Sequence, residues 1–173
     1  MKTIIVILIP INKNNNEITF INQVYIQEMM NIECKLVETE EELKQAFRIR
    51  TLVFIKEQNV PLSIEWDEYD KTGVHMICKV DGEVVGTGRI VFFGKTAKIS
   101  RVAVLESHRK KHIGTAIMEF LIDEVKKRNG ELLYAHVQLY AHDFYEKLGF
   151  KDVGETFLEA DIEHIRMVYN KDL

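Results

Sequence analysis

Ile113, Ile117, Leu121 and Val125 recur at every fourth position. That spacing puts them on one face of a helix. Lys126, Lys127 and Arg128 suit the negative end of its dipole, and Gly130 suits its stop. Upstream, Thr39 followed by Glu42 has the form of a capping box. Leu43, Phe47, Leu52 and Phe54 then keep roughly helical spacing, which predicts a helix to about Gln58. A third, short helix is expected in "AHDFYEKLGF", ending at Gly149.

Strand patterns fill most of the rest. "IECKLV", residues 32–37, is strand-like. "HMICKV" and "EVVGTGRIVFF" flank Asp81-Gly82, a strong two-residue hairpin signal. A second turn at Gly94-Lys95 leads on to "KISRVAVL", so three strands form an antiparallel meander. "LLYAHVQL" is nearly continuous in apolar residues, as for a strand covered on both faces. "GETFLEADIEHIRMVY" supplies two last strands, and "NVPLSIEWDEYDKTG" an acidic loop with a short helical turn. The order is that of one mixed α/β layer with helices packed on a sheet.

Residues 1–31 stand apart. The run "IIVILI" is far short of the roughly 20 apolar residues of a membrane span. No small-x-small cleavage site separates it from the polar "NKNNNE". We expect an N-terminal extension over residues 1–31, either an extra strand or arm whose apolar run is paired or buried, or a dispensable upstream piece. Residues 32–173 then make one domain.

Composition narrows the function. The chain has 173 residues, 46% hydrophobic and 29% charged, which suits a soluble globular domain. A formal charge of −4 argues against a general nucleic-acid binder, so any anion recognition is local. Cys34 and Cys78 share no metal-ligand spacing and read as buried residues in a reducing compartment, hence a cytoplasmic location.

The local basic feature is Arg109, Lys110, Lys111 and His112, just where the long helix begins. A helix N-terminus already carries partial positive charge and unpaired amides, so cations there call for an anion. Backbone amides from Lys110 to Thr115 would point at it. His108 and His112 are four apart, but no glutamate follows the first histidine and the pair precedes the helix, which argues against zinc. In "EWDEYD", Tyr69 and the following Lys71 stand where a calcium loop needs oxygen ligands. No metal is expected.

"ISRVAVLESHRKKHIGTAIM" and "FYEKLGF" resemble the GNAT superfamily of N-acetyltransferases, whose acetyl-CoA loop reads Arg/Gln-x-x-Gly-x-Gly/Ala. Arg109 and Gly114 fall in that frame; His112 stands at the central glycine, and Glu106 replaces the common proline before the loop. "RTLVFIKEQNVPLSIEWDEYD", "VGTGRI", "AKISRVAV" and "FLEADIEHIRM" resemble blocks of its ElaA/YjcF-like branch, from about residue 33 to the end. The resemblance implies an acyl-CoA N-acyltransferase fold. Its central, mostly antiparallel sheet is splayed at two parallel strands, with helices on both faces. It also implies acetyl transfer from acetyl-CoA to a primary amine of a small molecule or peptide by direct attack, without a metal, a membrane or nucleic acid. Edge strands of this fold often pair, so a homodimer is compatible.

On that resemblance, coenzyme pyrophosphate would lie on Arg109, Lys110, Lys111, His112, Ile113, Gly114 and Thr115. Lys110 or Lys111 could also meet the ribose phosphate. The pantetheine arm would run along Val102, Ala103 and Val104, where one amide would polarise the thioester carbonyl. Tyr145 matches the tyrosine near the sulfur and would protonate the leaving thiolate, a step contributing about 10²–10⁴-fold. A lysine-like amine costs roughly 4.6 kcal/mol to deprotonate at pH 7, so it needs an acidic cleft or a base. Glu65 and His136 lead as base; Asp67, Asp70, Glu159, His164 or a water relay are alternatives. The competing function is a module that holds acyl-CoA with little or no catalysis. Coenzyme binding without turnover of any amine would favour it.

Overall fold

The computed structural model describes residues 30–171 and 173, so the extension expected over residues 1–31 lies almost wholly outside it. Seven strands form one sheet: β1 (Ile32–Leu36), β2 (Val74–Val80), β3 (Glu83–Phe93), β4 (Thr96–Val104), β5 (Leu132–Gln138), β6 (Phe150–Glu159) and β7 (Ile162–Tyr169). Their order is β1-β2-β3-β4-β5-β7-β6. Every neighbouring pair is antiparallel except β4 and β5. The helices are α1 (Glu40–Arg50), the single turn α2 (Leu62–Glu65), α3 (Ile113–Lys127) and α4 (His142–Leu148).

Local chemistry explains most boundaries. Thr39 Oγ1 accepts the Glu42 amide at 3.2 Å, as the capping pattern requires. The Glu42 carboxylate reaches one residue beyond the cap, to the amide of Glu38 at 3.0 Å. The helix then continues past Arg50 as a π-helical stretch, Thr51–Glu57, closed by the Gln58 amide on the Val53 carbonyl. Apolar spacing alone does not separate these two windings. At the end of α3 it is Asn129 that adopts the left-handed conformation, with φ 55°. Gly130 follows it, donating to the Val125 carbonyl at 3.0 Å, and a Cβ there would stand 2.5 Å from Val125 Cγ1. Strand β6 begins at Phe150, directly after Gly149, and so starts earlier than the apolar pattern suggests.

Strand β3 divides the core. On one face, a Cβ at Gly86 would lie 2.6 Å from Ile117 and one at Gly88 2.8 Å from Leu121. The two glycines therefore let α3 settle close to the sheet. On the other face Ala46, Ile49 and Val53 meet Ile77, Val84 and Ala103. Full burial of each large apolar side chain contributes roughly 1.5–3 kcal/mol. Cys34 and Cys78 face each other across β1 and β2 as free thiols, with Sγ atoms 2.9 Å apart.

Two irregularities in β4 open the sheet. Its parallel pairing with β5 ends at Ile99 and Ala135. Beyond that, β4 stays with β3 and β5 stays with β7, so residues 100–104 and 136–138 part. In addition, the β3–β4 register shifts at Arg101 and Val102, where Arg101 takes φ 55°. This bulge turns the strand locally and re-aims a side chain.

Candidate active site

The gap between β4 and β5 leaves backbone donors and acceptors of residues 100–104 without a partner strand on one side. Val102, Ala103 and Val104 line that gap through their main chain. At its open end lies the basic loop. Lys110 and His112 both have φ 60°, and His112 sits at the N-cap of α3 without a side-chain cap. The first helical bond of that turn runs from the Ala116 amide to the His112 carbonyl at 3.0 Å. The amides of Ile113, Gly114 and Thr115 are thus free of helical acceptors, as helix geometry demands. Phe144 of α4 lies over Gly114, where an added Cβ would be 3.4 Å from it.

Arg109 occupies a more specific place than its charge suggests. Both terminal guanidinium nitrogens donate to Glu57 at 2.6 Å, and Nε donates to the Val104 carbonyl at 3.0 Å. It therefore ties the loop to the rim of the gap and to the π-helical stretch. Lys111 donates to the Ser107 carbonyl at 2.9 Å. Lys110 has no such partner among the described residues.

Tyr145 is 9% exposed on α4, its ring edge-on to Phe144 and Phe150. Burial pushes its phenol well above the usual tyrosine range. Its hydroxyl has no hydrogen-bond partner among the described residues.

The acidic loop folds into a charge network. Glu65, 2% exposed, is held by Arg50 Nε and by Arg101 Nε at 2.7 Å. Asp70 takes Arg50 at 2.6 Å and Arg89 at 2.7 Å, and Asp67 takes both ends of Arg89 at 2.6 and 2.8 Å. Burial pushes the Glu65 carboxyl up, against Arg101 and Arg50. Burial also opposes ionisation of Asp67 and Asp70, yet Arg89 and Arg50 respectively hold them below the usual range.

Strand alternation sets a second group beside this network. Lys98 pairs with Val91 on one side and Tyr134 on the other, which places all three on the face that carries Arg89. A cavity of about 310 Å³ opens there, lined by Ile64, Asp67, Tyr69, Arg89, Phe93, Lys98, Arg101, Tyr134 and Glu159 among others. His136, the first residue of β5 past the last parallel pair, has Nδ1 3.2 Å from Glu159 and 3.3 Å from Lys98. The His136 bond holds Glu159 down at about 2, and burial lowers the Lys98 amine. His164 donates from Nδ1 to the Ile162 carbonyl, 2.8 Å away, so it is turned to its own hairpin.

The structure thus gathers His136 and Glu159 at the point where β4 and β5 part. It holds Glu65, Asp67 and Asp70 in ion pairs. Lys98, Glu57 and the Arg101 bulge escaped sequence reasoning. For Lys98 a signal existed: alternation in "AKISRVAV" separates it from the buried Ala97 and Ile99.

The model of the acetyltransferase (GNAT) family matches residues 37–150. The uncharacterized N-acetyltransferase YjcF of Bacillus subtilis (strain 168) is 35% identical over 134 residues, covering 77% of this chain and 96% of its own length. Among solved structures, an acyl-CoA N-acyltransferase from Pseudomonas aeruginosa is 27% identical, with TM-score 0.72, covering 82% of this chain and 99% of that chain. Escherichia coli ElaA superposes with TM-score 0.72 at 24% identity, covering 82% of this chain and 100% of that chain, a likeness of fold.

Proposed function

Because the chain belongs to the GNAT family of acetyltransferases, we propose that it moves the acetyl group of acetyl-CoA onto a primary amine by direct attack. The chain is an acyl-CoA-dependent acetyltransferase, with the transferase machinery in residues 32–173. The acceptor amine belongs to a small molecule or a peptide. The carrying observation is the parting of β4 and β5 after Ile99 and Ala135, next to the free amides of Ile113, Gly114 and Thr115.

Acyl-CoA supplies an activated acyl group, and the chain does the rest. The loop from Arg109 to Thr115 receives the pyrophosphate on its amides, with Lys110 and Lys111 adding charge. Arg109 holds the loop against Glu57 and Val104. An unpaired amide among Val102, Ala103 and Val104 donates to the carbonyl oxygen as charge gathers on it. Tyr145 keeps its proton at neutral pH. Because a thiol titrates near 8.5, full transfer from so weak an acid is uphill, so Tyr145 donates a hydrogen bond to the departing sulfur.

His136 takes the proton of the amine. Glu159 orients Nδ1 and leaves Nε2 as the free lone pair, the arrangement that makes an imidazole a directed base. Glu65 acts elsewhere, since its carboxylate neutralises Arg50 and Arg101 and holds the acidic loop on the sheet. The free thiols fit a cytoplasmic, reducing compartment.

The test pairs calorimetry of acetyl-CoA with thiol release across a panel of amines. Heat together with amine-dependent thiol release supports transfer. Coenzyme heat with no release on any amine supports the holding module instead.

A further inference from the structure

Building on the acyltransferase reading, we propose that the acceptor is zwitterionic, an amino-acid-sized amine that also bears a carboxylate. Its carboxylate meets Lys98, its amine meets Glu159 and His136, and its side chain is apolar or aromatic.

The cavity beside the seam decides this by what its charges are already doing. Arg89 is saturated by Asp67 and Asp70, and Arg101 by Glu65 and Asp67. That leaves one cation and one anion on the wall, Lys98 and Glu159. Lys98 Nζ makes no salt bridge among the described residues; its polar contact is His136 Nδ1 at 3.3 Å. No carboxylate touches this half-buried ammonium among the described residues; Glu159 attracts it only from across His136, which leaves its donors open to an anion. Arg166 reinforces the deficit. Its guanidinium lies 4.3 Å over Tyr134, it makes no ion pair among the described residues, and its Nε is buried without a partner. Around this wall, Arg50, Arg89, Lys98, Arg101 and Arg166 outnumber Glu65, Asp67, Asp70 and Glu159 by one charge.

The remaining walls are Ile64, Tyr69, Val91, Phe93 and Tyr134. They offer aliphatic and aromatic contact but no further uncommitted charge. A volume of about 310 Å³ is at the small end for ligand sites, enough for one amino-acid-sized molecule. Glu159 and Lys98 both neighbour His136, so a ligand spanning them presents its nitrogen at the end of the seam.

The experiment titrates phenylalanine, leucine and phenethylamine into the protein saturated with coenzyme A. Thiol release from acetyl-CoA is followed in parallel. We expect an amino acid to bind about 10- to 100-fold more tightly than phenethylamine, the worth of one charged hydrogen bond. Lys98→Met removes that preference while coenzyme heat is unchanged, and Lys98→Arg retains it. Equal or tighter binding of phenethylamine, no amino-acid heat at millimolar concentration, or a preference that survives Lys98→Met overturns the proposal. If the preference appears but no thiol is released, zwitterion recognition stands and the transfer reading alone falls.

Discussion

Arg101 Nε lies 2.7 Å from Glu65 Oε2, joining the bulge of β4 to the one-turn helix α2. The left-handed Arg101 backbone aims the guanidinium there, and Nε also donates to the Glu65 carbonyl at 3.0 Å. With Arg50 on the other carboxylate oxygen, Glu65 is the keystone of the acidic loop.

Removing that carboxylate takes one of two carboxylate partners from each of Arg50 and Arg101, leaving Asp70 and Asp67 to hold them. Glu65→Ala should therefore cost about 3–5 kcal/mol in urea unfolding. A loss below about 1 kcal/mol would contradict the keystone role. With His136 as the proposed proton acceptor, the folded fraction of the variant at low temperature should keep its amine-dependent thiol release.

Tyr145→Phe preserves the ring that meets Phe144 and Phe150. Its melting temperature and coenzyme heat should match the wild type. Loss of the proposed hydrogen bond to sulfur should lower kcat by about 10- to 100-fold. Wild-type turnover would remove Tyr145 from the mechanism.

His112 takes φ 60°, a conformation that costs a residue with a Cβ roughly 1–2 kcal/mol. His112→Gly removes the strain at some cost in chain entropy, and should stabilise the fold by up to about 1 kcal/mol. It should also tighten coenzyme binding, since a phosphate oxygen can then approach the bare amide. Calorimetry with coenzyme A checks the affinity, and urea unfolding checks the sign of the stability change.

His75 is 7% exposed, edge-on to Phe47, with Nε2 3.0 Å from the Asp70 carbonyl. Burial holds its pKa below the usual imidazole value near 6.5. The unfolded chain therefore gains a proton first as pH falls. Stability from this residue is complete above about pH 6.5 and is lost progressively below it. Asp67 and Asp70, held low, add a second loss below their ordinary carboxylate range, whereas Glu65, held high, runs the other way. His142, held up by Asp152, works in the opposite sense over the same range, so the His75 contribution is read by difference: between about pH 7.5 and 5.5 the urea midpoint of His75→Asn should fall less, or rise more, than that of the wild type.

Much of the architecture was legible because its causes are local. Asp81-Gly82 sets a hairpin, the four-residue spacing from Ile113 sets a helix, and the family blocks supply the splay. The glycine frame marked position 112 as a departure, and the structure adds its cost: the backbone there takes a positive φ that glycine meets freely and histidine does not. The candidate base was harder, since Lys98, His136 and Glu159 come together only through the register of strands far apart in sequence. The same holds for Arg109, whose bond to Glu57 spans 52 residues. A basic run near a helix start reads as ligand contact, and Arg109 within it also braces the loop against Glu57 and Val104.

Unpaired strand amides at the outer edge of a sheet invite another chain to add itself and aggregate. Here the open stretch lies in the middle of the sheet, between β4 and β5, with paired strands on either side. A stray polypeptide would have to enter a narrowing wedge, while a thin, flexible arm slides in. The ladder of this sheet is thus unfinished by its own chain, and whatever completes it tightens the whole. Heat resistance should accordingly track the supply of acyl donor, coupling the protein's lifetime to the metabolic state that gives it work.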